Sequence, residues 1–121
     1  MKNFNLNERL INFSELIIEV SRSLPPSKEG SYLSGQLVRS GLSPALNYSE
    51  AISGESRKDF VHKIKIVLKE LRETYSCLRI IQRTCSRGAE DLIEKAIIEN
   101  NELIAIFVTS VKTAMMNMRE E

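Results

Sequence analysis

Apolar side chains recur every three or four residues along most of the chain, which is the spacing of one face of an α-helix. The pattern is clearest between residues 60 and 85, where steps of four and three alternate without a break. The positions in this stripe are Phe60, Ile64, Val67, Leu71, Thr74, Leu78, Ile81 and Cys85. Val61, Leu68 and Tyr75 widen the stripe, so we expect a bundle face rather than a two-stranded seam.

Three further segments carry the same period, and residues that start or stop helices separate them. The first segment covers residues 7–22 and ends at the prolines of SLPPS, because proline cannot continue a helix. Ser27 caps the second helix, which extends to residue 53 before Gly54. Ser56 caps the third helix, which Gly88 closes, and the acidic Glu90 opens a fourth helix that continues to residue 118.

These four helices predict an all-α fold. Short connections make sequence neighbours antiparallel, so we expect an up-down-up-down four-helix bundle, formed as a single domain by residues 1–121. No apolar run approaches the roughly 18 residues that a membrane span needs. The N-terminal segment carries charges among its apolar residues, unlike a secretory signal. We therefore expect a cytoplasmic protein that does not associate with membranes.

Pro44 lies inside the second predicted helix, in the stretch QLVRSGLSPALNYSEA of residues 36–51. Because proline lacks an amide hydrogen, the carbonyl of Ser40 loses its helical partner, and a kink is predicted there. Gly35, Gly41 and Ala45 lack bulk, so we interpret this helix as packed closely against a neighbour. A binding pocket is the alternative interpretation, and its lining would be Arg39, Ser43, Asn47 and Glu50.

The net charge of +1 conceals a regional imbalance. Residues 56–87 contain nine Lys or Arg and three Asp or Glu, whereas residues 88–121 contain three and seven. On the third helix, a second stripe lies two residues before each core position, which corresponds to about 200° of rotation. This basic stripe consists of Lys58, His62, Lys65, Lys69, Arg72, Ser76, Arg79 and Arg83. It predicts a cationic ridge about 37 Å long that can follow a phosphate backbone.

The basic stripe has a second interpretation as the ordinary solvated face of an amphipathic helix. Lys69 can pair with Glu73 one turn away. Acids of the fourth helix can neutralise more of the stripe, namely Glu94, Glu99 and Glu102. No aromatic residue lies between the cations, so stacking of single-stranded bases is not expected.

Few residues suggest catalysis or metal binding. The one histidine, His62, stands within the basic stripe. Cys77 and Cys85 are eight residues apart on one predicted helix, hence about 12 Å apart and too distant for a mutual disulfide. No phosphate-binding glycine loop, metal-spaced set or catalytic triad is recognisable. We therefore expect a non-enzymatic protein without a cofactor or metal.

Two stretches, QLVRSGLSPALNYSEA and SRKDFVHKIKIVLKELRET, resemble the signature of bacterial four-helix-bundle proteins encoded in intervening sequences of large-subunit ribosomal RNA genes. The resemblance covers roughly residues 30–80, and it departs at EAISGES, where the second helix ends slightly differently. The matching positions are Gln36, Leu37, Arg39, Ser40, Ser43, Pro44, Asn47, Glu50, Ala51, Ser56, Phe60, Leu68, Lys69, Glu70, Leu71 and Glu73.

The resemblance implies a left-handed bundle that assembles into a ring, typically a pentamer, and that has no established enzymatic activity. Relatives serve as accessory proteins of retroelement reverse transcriptases and are thought to bind nucleic acid through a basic surface. We therefore expect a homo-oligomer that binds structured RNA or a ribonucleoprotein, with RNA or a reverse transcriptase as candidate partners. A protein-interaction scaffold without direct nucleic-acid binding is the alternative.

These expectations assign residues to two groups. The nucleic-acid-binding residues would be Lys58, Lys65, Lys69, Arg72, Arg79 and Arg83. The packing or assembly signature would be Arg39, Ser40, Ser43, Pro44, Asn47 and Glu50.

Overall fold

The computed structural model describes residues 5–119, which form four helices without any strand. The helices are α1 (Leu6–Ser23), α2 (Lys28–Ile52), α3 (Arg57–Thr84) and α4 (Glu90–Arg119). The all-α prediction is confirmed, and most helix ends lie within one residue of their predicted positions. The exception is α3, which ends at Thr84, a few residues before Gly88. Gly88 instead adopts a φ of +83° in the connection to α4, a backbone region that favours glycine.

Side chains of the capping residues fix where the first three helices begin. Ser27 and Ser56 each accept a hydrogen bond of 3.0 Å from the backbone amide three residues later, as predicted for N-caps. Asn5 does the same at the start of α1, a cap that the sequence analysis did not identify. These bonds satisfy amide groups that have no partner within the first turn of a helix.

The core is one cluster of buried apolar side chains contributed by all four helices. Each helix packs against the next in sequence, and α1 also contacts α4, which closes the bundle. The predicted stripe of α3 is buried from Ile64 to Ile81, while Phe60 and Cys85 at its ends are only partly buried. The largest fully buried side chains include Phe13 of α1 and Phe107 of α4.

Polar side chains are buried near the middle of the bundle. Thr74 Oγ1 of α3 lies 2.9 Å from Ser40 Oγ of α2 and 2.8 Å from the Glu70 carbonyl oxygen. Asn100 of α4 donates through Nδ2 to the Leu71 carbonyl at 3.0 Å. Its Oδ1 is buried and has no hydrogen-bond partner among residues 5–119. This polar layer joins α2, α3 and α4 at one level of the core.

Helix α2 continues through Pro44, whose side chain is buried. One turn further on, Asn47 Nδ2 donates to the Ser43 carbonyl at 3.1 Å and lies 2.8 Å from the Ser43 hydroxyl. The side chains of Ser43 and Asn47, on either side of the proline, are thus bonded within α2. The predicted kink at Pro44 stays a prediction.

The small residues of α2 differ in what they face. At Gly41, a Cβ atom would lie only 2.7 Å from Cγ2 of the buried Ile17 side chain, so α1 and α2 approach closely here. At Gly35, a Cβ atom would meet nothing within 4 Å among residues 5–119. The prediction of close packing on α2 therefore holds at Gly41, whereas at Gly35 it finds no neighbour within residues 5–119 and stays a prediction for contacts with another chain.

Candidate nucleic-acid interface

Helix α3 carries the cations of the basic stripe on the side opposite its buried stripe. Five of the six predicted nucleic-acid-binding residues are exposed: Lys58, Lys65, Lys69, Arg72 and Arg83. His62 and Ser76, the two uncharged members of the basic stripe, are exposed as well. The spacing of the sequence thus translates into an exposed file of positive charge along α3.

Arg79 departs from the other cations because it is held against the bundle. Its guanidinium carbon lies 5.8 Å from the centroid of the Tyr75 ring, and Nη1 donates to the Tyr75 hydroxyl at 2.8 Å. Its Nε is buried and has no hydrogen-bond partner among the described residues. Sequence reasoning placed Tyr75 on the core face and missed this pair. The signal was the spacing of four residues, which puts the two side chains on one helix face.

The acid predicted to neutralise Lys69 pairs elsewhere. Glu73 forms an ion pair with Arg39 of α2, and Arg39 Nη1 also lies 3.3 Å from Glu70 Oε1. Glu70 is almost fully buried at the α2–α3 contact. Its place three residues after one core position and four before another could have indicated that it lies on the buried face of α3. Lys69 therefore keeps its charge unpaired within residues 5–119.

The acids of α4 that the sequence offered as partners of the basic stripe also pair with other residues. Glu99 and Glu102 both bind Arg9 of α1, each at 2.7 Å. Their hydrogen bonds and charges raise the pKa of the Arg9 guanidinium above its already high normal value, so it stays protonated. Glu94 accepts a hydrogen bond of 3.1 Å from Gln82. Among residues 5–119, the five exposed cations of the stripe make no ion pair or side-chain hydrogen bond.

A shallow depression of about 300 Å³ lies along the middle of the stripe. It is lined by Lys65, Leu68, Lys69 and Arg72, all from α3. Three cations surround this space, and a phosphate oxygen within it would meet donors from each of them. The geometry suits backbone contacts rather than the reading of base edges.

The predicted assembly signature comprises Arg39, Ser40, Ser43, Pro44, Asn47 and Glu50. The structure does not bring these side chains to one place. Ser40 and Pro44 are buried in the bundle, Asn47 is bonded to Ser43, and Glu50 accepts a hydrogen bond of 2.5 Å from a lysine of α3. Of the four side chains suggested for a binding pocket, Ser43 and Asn47 thus bond to each other, while Arg39 and Glu50 each pair with residues of α3.

Three further properties bear on function. No group of three or more His, Cys, Asp or Glu residues within the described part of the chain is arranged to hold a metal ion. None of the helices of residues 5–119 is long and apolar enough to cross a membrane. Cys77 is buried, and this burial raises the pKa of its thiol.

A family model described as 23S rRNA-intervening sequence protein matches residues 2–109. The chain belongs to the 23S rRNA-intervening sequence protein family. This confirms the family that the two sequence stretches indicated. A comparison with curated proteins found no match.

A solved structure supports the same placement within the 23S rRNA-intervening sequence protein family. The crystal structure of a protein with unknown function, from the S23 ribosomal protein family of Bacteroides thetaiotaomicron, is similar to this chain with a TM-score of 0.80 and 27% identity. The alignment covers 89% of this chain and 99% of that one. The four-helix architecture is therefore shared along nearly the whole length of both.

Proposed function

We propose that this member of the 23S rRNA-intervening sequence protein family is a non-enzymatic cytoplasmic protein that binds structured RNA or a ribonucleoprotein through the basic stripe of α3. The observation that supports this most is the row of exposed cations, about 37 Å long, without acid partners in residues 5–119. A merely solvated face usually mixes both signs of charge. Here the nearby acids are engaged by Arg9 and Arg39 instead.

We infer that the single domain over residues 1–121 is an antiparallel, left-handed bundle in which α2 bends at Pro44. Two contacts between α2 and α3 support the direction of the helices, since residue numbers rise along α2 as they fall along α3. The contacts are Ser40 with Thr74 and Glu50 with Lys63. The missing amide hydrogen of Pro44 supports the bend.

We further propose a homo-oligomer, with a pentameric ring as the resemblance implies. Large apolar side chains stay outside the core of one chain, which supports a partner surface. Leu46 of α2 is 66% exposed, and Met116 of α4 is 57% exposed. A ring would repeat the basic stripe around its rim and strengthen weak contacts by avidity. Light scattering should then give about five times the chain mass of 13.8 kDa, and a mass of one chain would contradict the ring.

The proposed interface is tested by reversing charge in the basic stripe. The variant Lys65→Glu, Lys69→Glu, Arg72→Glu changes three exposed side chains with no bonded partner among residues 5–119. We expect its affinity for a labelled structured RNA, measured by fluorescence anisotropy, to fall more than about tenfold, because repulsion replaces three phosphate contacts. Its circular dichroism should match that of the wild type.

The matched control reverses three exposed cations on other helices, in the variant Arg22→Glu, Lys28→Glu, Lys112→Glu. This control changes the net charge by the same amount. We expect it to bind the RNA much more tightly than the α3 variant. An equal loss of RNA affinity in both variants would mean that the RNA is attracted only by net charge. Undiminished binding by the α3 variant would exclude the basic stripe as the interface.

The resemblance also implies a reverse transcriptase as a candidate partner. Retention of a reverse transcriptase on the immobilised wild-type protein after nuclease treatment, but not on the α3 variant, would place that partner on the same stripe. Retention by both proteins would place it elsewhere.

A further inference from the structure

A groove of about 580 Å³ lies between α1 and α4, the two neighbouring helices that contact each other least. Its apolar part consists of Phe13 and Leu16 from α1 and Ile98 from α4. Phe13 and Leu16 belong to the core cluster, whereas Ile98 is 51% exposed. The groove therefore opens from the core to the surface and leaves a large apolar side chain uncovered.

The polar lining of this α1–α4 groove is strongly acidic. It contains five carboxylates and one ammonium group, from Glu15, Glu19, Asp91, Glu94, Glu99 and Lys95. Arg9 binds Glu99 at one end of the groove. Glu15, Glu19 and Asp91 are exposed and make no ion pair within the described residues. Excess negative charge thus remains around the apolar part.

We propose that the α1–α4 groove binds a cationic amphipathic helix of a protein partner. Apolar side chains of that helix would pack on Ile98 and Leu16, and its Lys or Arg side chains would reach the carboxylates on either side. The α4 residues that line the groove extend from position 91 to position 99. Eight residues of helix span about 12 Å, so the groove accommodates about two turns of a guest helix lying along it.

The chemistry of the groove disfavours its other occupants. The carboxylates repel phosphate, which excludes RNA from this side of the molecule. A helix of a second copy of the chain is a poor guest for this groove, because no helix within residues 5–119 presents two exposed large apolar side chains one turn apart. The cations of α3 would complement the acidic groove, but α3 has only one exposed large apolar side chain among residues 5–119, Ile80, to fill its apolar part. The proposal is independent of RNA binding by α3.

The test uses a labelled 14-residue helical peptide of Leu and Lys, with Leu spaced at i, i+3, i+4 and i+7, and the full, nuclease-treated protein. A peptide with Glu in place of every Lys is the matched probe. We expect the Leu/Lys peptide to bind, with affinity that falls as salt is added, and the Leu/Glu peptide to bind at least tenfold more weakly. Fluorescence anisotropy measures both affinities.

Groove variants locate the site on the protein. The variant Glu15→Gln, Glu19→Gln should lower the affinity for the Leu/Lys peptide about three- to tenfold, since two exposed charge contacts are lost. Ile98→Ser should lower the same affinity by a similar factor, because an apolar contact is lost. The control Glu29→Gln, Glu55→Gln removes two exposed carboxylates elsewhere and should change affinity less than twofold. All three variants should retain wild-type RNA binding, which separates this site from the basic stripe.

Three results would overturn the proposal. Binding of the Leu/Glu peptide as tightly as the Leu/Lys peptide would remove the electrostatic argument. An equal loss in the groove and control variants would place the peptide elsewhere. A change in oligomeric state caused by Glu15→Gln, Glu19→Gln or by Ile98→Ser, seen by light scattering without peptide, would identify a second copy of the chain as the occupant.

Discussion

At the scale of single residues, two glycines of α2 show how much depends on the neighbour. Gly41 lies against Ile17 of α1, whereas a Cβ atom at Gly35 would meet no other atom within 4 Å in the described part of the chain. From the sequence, Gly35 and Gly41 are both expected to be sites of close packing on α2. The spacing of glycines alone does not show which face of α2 meets α1. The difference arises only once α1 and α2 are packed together.

This difference gives a matched pair of substitutions. Gly41→Ala should lower the free energy of unfolding by about 1–2 kcal/mol, because the new methyl group overlaps a side chain that is fully buried. Gly35→Ala should raise it by about 0.5–1 kcal/mol, because alanine favours an exposed helix interior. Urea denaturation measures both changes. Equal effects of the two substitutions would contradict the packing of α1 on α2.

Individual ion pairs could not be predicted either, because they too depend on how neighbouring helices pack. The spacing of Lys69 and Glu73 allowed a pair within α3, but Glu73 binds Arg39 of α2. Likewise, Glu99 and Glu102 of α4 bind Arg9 of α1. Spacing along one helix shows which side chains share a face, and the choice between partners is made by the adjacent helix.

At the scale of helices, the periodic pattern was a sufficient guide to where each element lies. Strong caps at Ser27 and Ser56 and the prolines after α1 fixed most ends. The end of α3 is harder to place, because Gly88 has the composition of a helix terminator but adopts its positive φ in the loop before α4. The same helical period predicts which residues form the basic stripe. It does not predict that Arg79 bonds to Tyr75, because that contact depends on the conformations of both side chains.

Asn100 is the one polar residue among the buried side chains of α4, and its burial leads to a prediction about that helix. In Asn100→Asp, a carboxylate would replace the Nδ2 donor that faces the Leu71 carbonyl, at a fully buried position. We expect a loss of about 3 kcal/mol or more in the free energy of unfolding at neutral pH, since a buried charge would be left unpaired.

Asn101→Asp is the control for this prediction, because it makes the same chemical change at the adjacent, exposed position. Its unfolding free energy should stay within about 0.5 kcal/mol of the wild type. Chemical denaturation followed by circular dichroism compares the two. Similar stabilities of the two variants would mean that Asn100 does not lie in the core.

At the scale of the whole molecule, charge is separated between two sides of the bundle. The cations of the basic stripe lie on α3, while the acidic groove lies between α1 and α4. The basic stripe could be read from the sequence because it belongs to one helix. The groove could not, because it forms only where α1 and α4 come together with Ile98 uncovered.

The separation of charge also explains why a net charge of +1 says little about partners. Polyanions meet the local potential of the α3 surface, which is set by five exposed cations and not by the sum over the chain. Binding of RNA at that surface should therefore be strongly electrostatic, although the protein as a whole is nearly neutral.

The most direct test is the salt dependence of binding between nuclease-treated protein and a labelled structured RNA. If the five exposed cations of α3 each contact a phosphate, a plot of the logarithm of the association constant against the logarithm of salt concentration should be linear, with a slope of about −4 per chain bound. A slope near zero, or no binding at low salt, would contradict the account and leave the basic stripe as an ordinary solvated face.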